Sequence, residues 1–96
     1  MWNTIETKVF ANISATPATF ALRGGGYGVT VHAGAWNSGS VTLQRLAPDG
    51  ATDVTVMTAF TADGYASANL PSGTYQLAIA SATGVYADIV STVTTL

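Results

Sequence analysis

The chain has 96 residues, 48% of them apolar and only 8% charged, with a net charge of −2 and an isoelectric point near 4.7. That length holds one modest core and no second one. Lys8, Arg23 and Arg45 are too few to neutralise a run of phosphates, which argues against nucleic acid as a partner, and without cysteine there is no disulfide, thiolate nucleophile or cysteine metal site.

Ordinary soluble domains carry about 25% charged residues. Here Ala, Thr, Gly and Ser make up about half the chain, so its solvated faces are built from small and hydroxylated side chains. A skin so poor in Lys and Glu suits a protein packed against copies or partners, where burying charge is unfavourable.

Residues 1–16 stand apart. Trp2, Ile5, Val9, Phe10 and Ile13 are spaced by polar residues, and Glu6 with Lys8 makes the densest charge cluster. The segment has neither a basic stretch nor a continuous apolar run, so no secretory signal is expected, and the chain is expected to be made in a cytoplasm and kept whole. No window reaches the length of a membrane-spanning helix. Thr7 to Ser14 reads as a first strand, with Val9, Ala11 and Ile13 on one face and Lys8, Phe10 and Asn12 on the other. Residues 1–16 are either an edge strand or an arm that orders on a neighbouring subunit, with Trp2, Ile5 and Phe10 as its apolar contacts.

Residues 17–96 form the domain proper, in alternating runs broken roughly every ten residues by turn signals. Thr19 to Arg23 is short, with Phe20 and Leu22 inward. Tyr27, Val29, Val31 and Ala33 share one face of the next strand, and Gly28, Thr30 and His32 the other. Gly34 to Gly39 is a loop carrying Trp36. Val41, Leu43 and Arg45 line a further strand that ends at the turn Ala47-Pro48-Asp49-Gly50. Val54 and Val56 lead to Phe60, and Asp63-Gly64 signals a hairpin. Ala66, Ala68 and Leu70 alternate next, Pro71-Ser72-Gly73 turns the chain, and Tyr75, Leu77 and Ile79 make the cleanest inward stripe. Thr83-Gly84 signals a last hairpin before Val85, Ala87, Ile89 and Val93. Seven or eight strands without a helical period predict an all-β fold. The expected architecture is an antiparallel β-sandwich, Ig-like or jelly-roll.

Nothing in this pattern resembles a reaction centre. His32 is the single imidazole and has no carboxylate at an alternating position to orient it, so it reads as a solvated or interface residue. Gly24-Gly25-Gly26-Tyr27-Gly28 is followed by a strand and not by a helix, which argues for a tight connection and against a phosphate loop. Asp49, Asp53 and Asp63 fall at or beside turns, and no dense oxygen-ligand spacing accompanies them. No cofactor or metal is expected, and no catalytic residue stands out. Among Trp2, Trp36, Tyr27, Tyr65 and Tyr86, Trp36 reads as either a lid over one end of the sandwich or a partner contact. Tyr86 lies opposite the inward stripe and so reads as exposed.

With the phrases FALRGGGYGVTV, GSVTLQRLAPDG and LPSGTYQLAIASATGVYA, the chain resembles small β-sandwich virion proteins of tailed bacteriophages over roughly Thr19 to Ile89. These include the decoration, or cement, proteins that dress an icosahedral shell. The resemblance implies a non-enzymatic structural role on the outer capsid surface, bridging subunits of the major capsid protein. It also implies association with its own copies as trimers or other small clusters. On charge and hydropathy, neither nucleic acid nor membrane is expected as a partner. Two other readings stay open. One is a carbohydrate- or receptor-binding module of a fibre or head appendage, with Trp36, Tyr27 and Tyr86 as stacking platforms. The other is a tail or connector component.

Overall fold

A computed structural model of the chain describes residues 7–92. Its eight strands are β1 (Thr7–Ile13), β2 (Phe20–Leu22), β3 (Gly25–Ala35), β4 (Ser40–Leu46), β5 (Asp53–Thr55), β6 (Gly64–Leu70), β7 (Gly73–Ala80) and β8 (Thr83–Ser91). They form two four-stranded antiparallel sheets, in the orders β1-β8-β3-β6 and β2-β7-β4-β5. The pairs β1·β8, β2·β7, β3·β6 and β4·β5 are those of a long ribbon folded back on itself and wrapped into two layers. That is the jelly-roll order, and it separates the two sandwich topologies between which the sequence leaves the choice open.

The core comes from the central strands. Tyr27, Val29, Val31 and Ala33 of β3 and Val85, Ala87 and Ile89 of β8 face Val41 and Leu43 of β4 and Tyr75 and Leu77 of β7. All are buried, and their period of two delivers each stripe to a single face. Each fully buried aliphatic side chain contributes about 1.5–3 kcal/mol, so these stripes supply the main driving force.

Every connection except β4–β5 carries the chain from one sheet to the other. Ala47 to Thr52 is the one hairpin between consecutive strands. Gly50 N–H donates to Ala47 O at 3.0 Å, and Asp49 Oδ1 accepts from the N–H groups of Ala51 and Thr52, both at 2.9 Å. The Asp63-Gly64 and Thr83-Gly84 signals are not hairpins. The strand that follows each of them joins the opposite sheet from the strand before it. Short turn motifs fix a local bend and leave open which sheet receives the next strand.

At one end the β2–β3 and β6–β7 corners adjoin, because Gly25 pairs with Leu70 and Leu22 with Gly73. Each corner is tied by a tyrosine hydroxyl reaching four residues back. Tyr27 donates to Arg23 O and Tyr75 to Pro71 O, both at 2.5 Å. Arg45 Nη2 adds a bond of 2.9 Å to Ser72 O. Burial pushes the Tyr75 hydroxyl's pKa above its usual value, opposed in part by Arg45. At the other end Asn37 and Ser38, at φ 51° and 59°, aim Gly39 at the β7–β8 corner. A Cβ on Gly39 would lie 1.9 Å from Ala80 O, so only glycine allows this approach.

β1 departs from the expected alternation. Its register to β8 shifts between Phe10 and Ile13, with Asn12 at φ 53°. This bulge resets the phase, so Phe10 and Ile13 both pack on the core and Val9 is left 68% exposed. The expected sharing of one face by Val9 and Ile13 is thereby overturned. Downstream, Thr16 Oγ1 accepts from Ile79 N–H at 3.0 Å and Ser14 Oγ from Gly84 N–H at 3.2 Å, so hydroxyls stand in for strand pairing along this stretch.

Replacing Tyr75 by Phe strips Pro71 O of its donor while keeping the ring. The expected loss in urea unfolding is about 1–2 kcal/mol, smaller than the roughly 2–5 kcal/mol expected for Leu77→Ala. An unchanged midpoint for Tyr75→Phe would show that the corner does not depend on this hydroxyl.

Candidate functional site

Alternation that turns the stripes of β3 and β8 inward turns the intervening residues outward. Across the outer face of the first sheet the registers set Val9, Asp88, Thr30 and Tyr65 side by side in one row. Tyr86 and His32 are paired in the next, and their rings lie 6.1 Å apart at 30°. Tyr65 leans over Gly28, where a Cβ would sit 2.5 Å from its hydroxyl oxygen, so the absence of a side chain at Gly28 makes room for the ring. Tyr65 is 62% and Tyr86 49% exposed. The outcome is an aromatic outer face with few charges.

Asp63 anchors one end of this face. Its Oδ2 accepts from His32 Nδ1 at 2.7 Å, while Oδ1 accepts from Trp36 Nε1 at 3.0 Å and from Ala33 N–H at 3.1 Å. Three donors converge on one carboxylate, so the connection before β6 is tied to β3 and to the loop after it. The ionised carboxylate only accepts, which places a proton on His32 Nδ1 and leaves Nε2 as the acceptor of the neutral ring. The sequence offers no carboxylate beside His32 at strand spacing. The fold supplies one from 31 residues away, and that pair has no local signature beyond an Asp-Gly that reads as a turn.

The remaining aspartates differ in their surroundings. Asp49 completes its own turn, its Oδ2 accepting from Thr52 Oγ1 at 2.7 Å, and Asp53 Oδ2 accepts from Gln76 Nε2 at 3.3 Å. The Asp88 carboxylate accepts no hydrogen bond from any described residue. No group of three or more His, Asp or Glu side chains among the described residues is arranged to hold a metal ion.

The expected contact residues separate. Trp2 and Ile5 lie outside the described residues. Phe10 turns inward against Phe20, ring centroids 5.5 Å apart, and is engaged by the core instead of being presented on an arm. Trp36 packs against the core at its loop, with its indole N–H held by Asp63, as a lid would. Tyr86 stands on the outer face. Tyr27, taken as a stacking platform for sugars, is only 2% exposed and serves the core and its corner. Tyr65 joins Tyr86 on the exposed face through its register with Thr30.

Comparison of the chain with protein-family models, with curated proteins and with solved structures found no match.

The His32 bond, then those from Trp36 and Ala33, hold the Asp63 pKa down to about 2 from the usual 3.8. A carboxylate depressed in this way stabilises the fold above pH 3.8, and that stabilisation is lost as pH falls toward about 2. Asp49 is lowered too, by its bonds to Ala51 and Thr52. Urea unfolding followed through that window should weaken for the native chain, and less steeply for Asp63→Asn, with the Asp49 contribution remaining. Superimposable pH profiles would contradict the anchoring role.

Proposed function

We propose that this chain is a non-enzymatic structural protein of a tailed-phage particle. It decorates the outer capsid surface, bridges neighbouring subunits of the major capsid protein, and gathers in small clusters of its own copies. The resemblance of its strand–turn phrases to decoration proteins supplies the particle. The β6 edge is the observation that carries assembly.

β6 reads Gly-Tyr-Ala-Ser-Ala-Asn-Leu and closes one side of the first sheet. It is seven residues long, with no charge, no proline and an unbroken register to β3. A strand edge of this kind offers a row of main-chain donors and acceptors to another chain, and proteins that stay alone guard against it. The other edges are guarded. β1 carries Lys8 and a bulge, while β2 and β5 have three residues each. An unguarded edge beside exposed Tyr65, on a chain with 8% charged residues, fits a surface covered in the working state. Many such weak contacts acting in parallel would raise the barrier to shell rupture.

The His32–Asp63 pair is consistent with a structural part, since its carboxylate also holds Trp36 and a main-chain N–H. The sugar-binding alternative keeps only Tyr86 of its three platforms on an open face, because Tyr27 is buried and Trp36 packs on the core.

The doubly substituted Ser67→Lys, Asn69→Lys chain places two charges on exposed β6 positions. It should keep the native circular dichroism yet drop out of reassembled particles that the native chain decorates at shell stoichiometry. Equal loading of both chains, or a native copy number matching the tail, would overturn the proposal.

A further inference from the structure

Between β1 and β8 the outer face dips into a groove of about 240 Å³. Val9 and Ala11 give it an apolar flank, and Thr30, His32, Tyr86 and Asp88 also line it. We infer that this groove receives an arginine side chain presented by a partner protein. The inference names a contact chemistry for the assembly reading above, and rests on that reading only for where such an arginine comes from.

Three observations point to this occupant. No described residue donates to the Asp88 carboxylate, whereas the carboxylates of Asp49, Asp53 and Asp63 all accept protein hydrogen bonds. An acidic side chain that no protein donor engages leaves its oxygens available to a cation. The polar side chains of the lining can all accept, and none is a lysine or arginine. The Asp88 carboxylate accepts only, His32 has Nε2 left over once Nδ1 is engaged by Asp63, and the Thr30 and Tyr86 oxygens both have lone pairs. Arginine brings five donors in a planar fork and no acceptor. Finally, the lining is mostly apolar, with an aromatic ring at its side. An arginine stem lies on such a surface while its guanidinium stacks on tyrosine. An anionic ligand would meet Asp88 and no fixed cation in the lining.

The test uses the isolated full chain, isotope-labelled for NMR and titrated with N-acetyl-argininamide. The neutral isostere N-acetyl-citrullinamide and the saccharide maltotriose serve as parallel arms. Saturable shifts at Val9, Thr30, Tyr86 and Asp88 are expected with the arginine compound alone. Asp88→Asn, which alters a surface group and should leave the thermal midpoint unchanged, is expected to weaken that binding by about tenfold or more. An absence of saturable shifts, an equal response to the citrulline compound, a response to maltotriose in place of arginine, or undiminished binding by Asp88→Asn would each overturn the inference. The titration needs no particle, so its failure leaves the shell proposal standing, and particles lacking the chain leave the groove's chemistry intact.

Discussion

Two tyrosine hydroxyls, Tyr27 to Arg23 O and Tyr75 to Pro71 O, secure the place where the folded ribbon crosses between its layers. Apolar burial supplies more free energy than either bond. Burial alone, however, does not say where the chain leaves one sheet for the other. A hydroxyl brought in with a buried ring needs an acceptor, since leaving it unmatched costs about 1–3 kcal/mol. The nearest acceptor is the carbonyl four residues back, at the corner itself. The same side chain therefore fills the core and fixes the crossing. At the far end Gly39 performs the complementary task by letting the β3–β4 loop touch the β7–β8 corner.

That arrangement decides what the surface can be. With both sheets committed to one shared core, the outer face of β1-β8-β3-β6 is free to carry Val9, Tyr65, His32, Tyr86 and Asp88, and the edge at β6 is left open. Few charges interrupt either surface. A solitary soluble domain would present more lysine and glutamate at such places. Asp63 keeps the neighbouring Trp36 loop in register with this face. The surface offered for contact is thus held by a carboxylate with three donors and by strands whose other side is the core.

The fold was legible in the sequence where the physics is local. Tyr27-Val29-Val31, Val41-Leu43, Tyr75-Leu77 and Val85-Ala87-Ile89 alternate at period two, and each stripe is inward in the structure. The same rule reads Tyr86 as outward, where it lies. It misreads β1, because a bulge at Asn12 adds one residue and nothing in Phe10-Ala11-Asn12-Ile13 announces it. Turn chemistry at Asp63-Gly64 and Thr83-Gly84 says that the chain bends, not which sheet it enters. Pairing order is a long-range property, so jelly-roll and Ig-like arrangements look alike one strand at a time. The partner of His32 was hidden for the same reason, since Asp63 meets it only once β6 has been placed beside β3.

As proposed above, this sandwich works as one brick among many. Cryo-electron microscopy of the parent particle tests it most directly. Density for an eight-stranded sandwich is expected on the outside of the shell, with the β6 edge covered by a neighbouring chain. A shell bare of this chain, or a sandwich standing clear with its β6 edge in solvent, would contradict it.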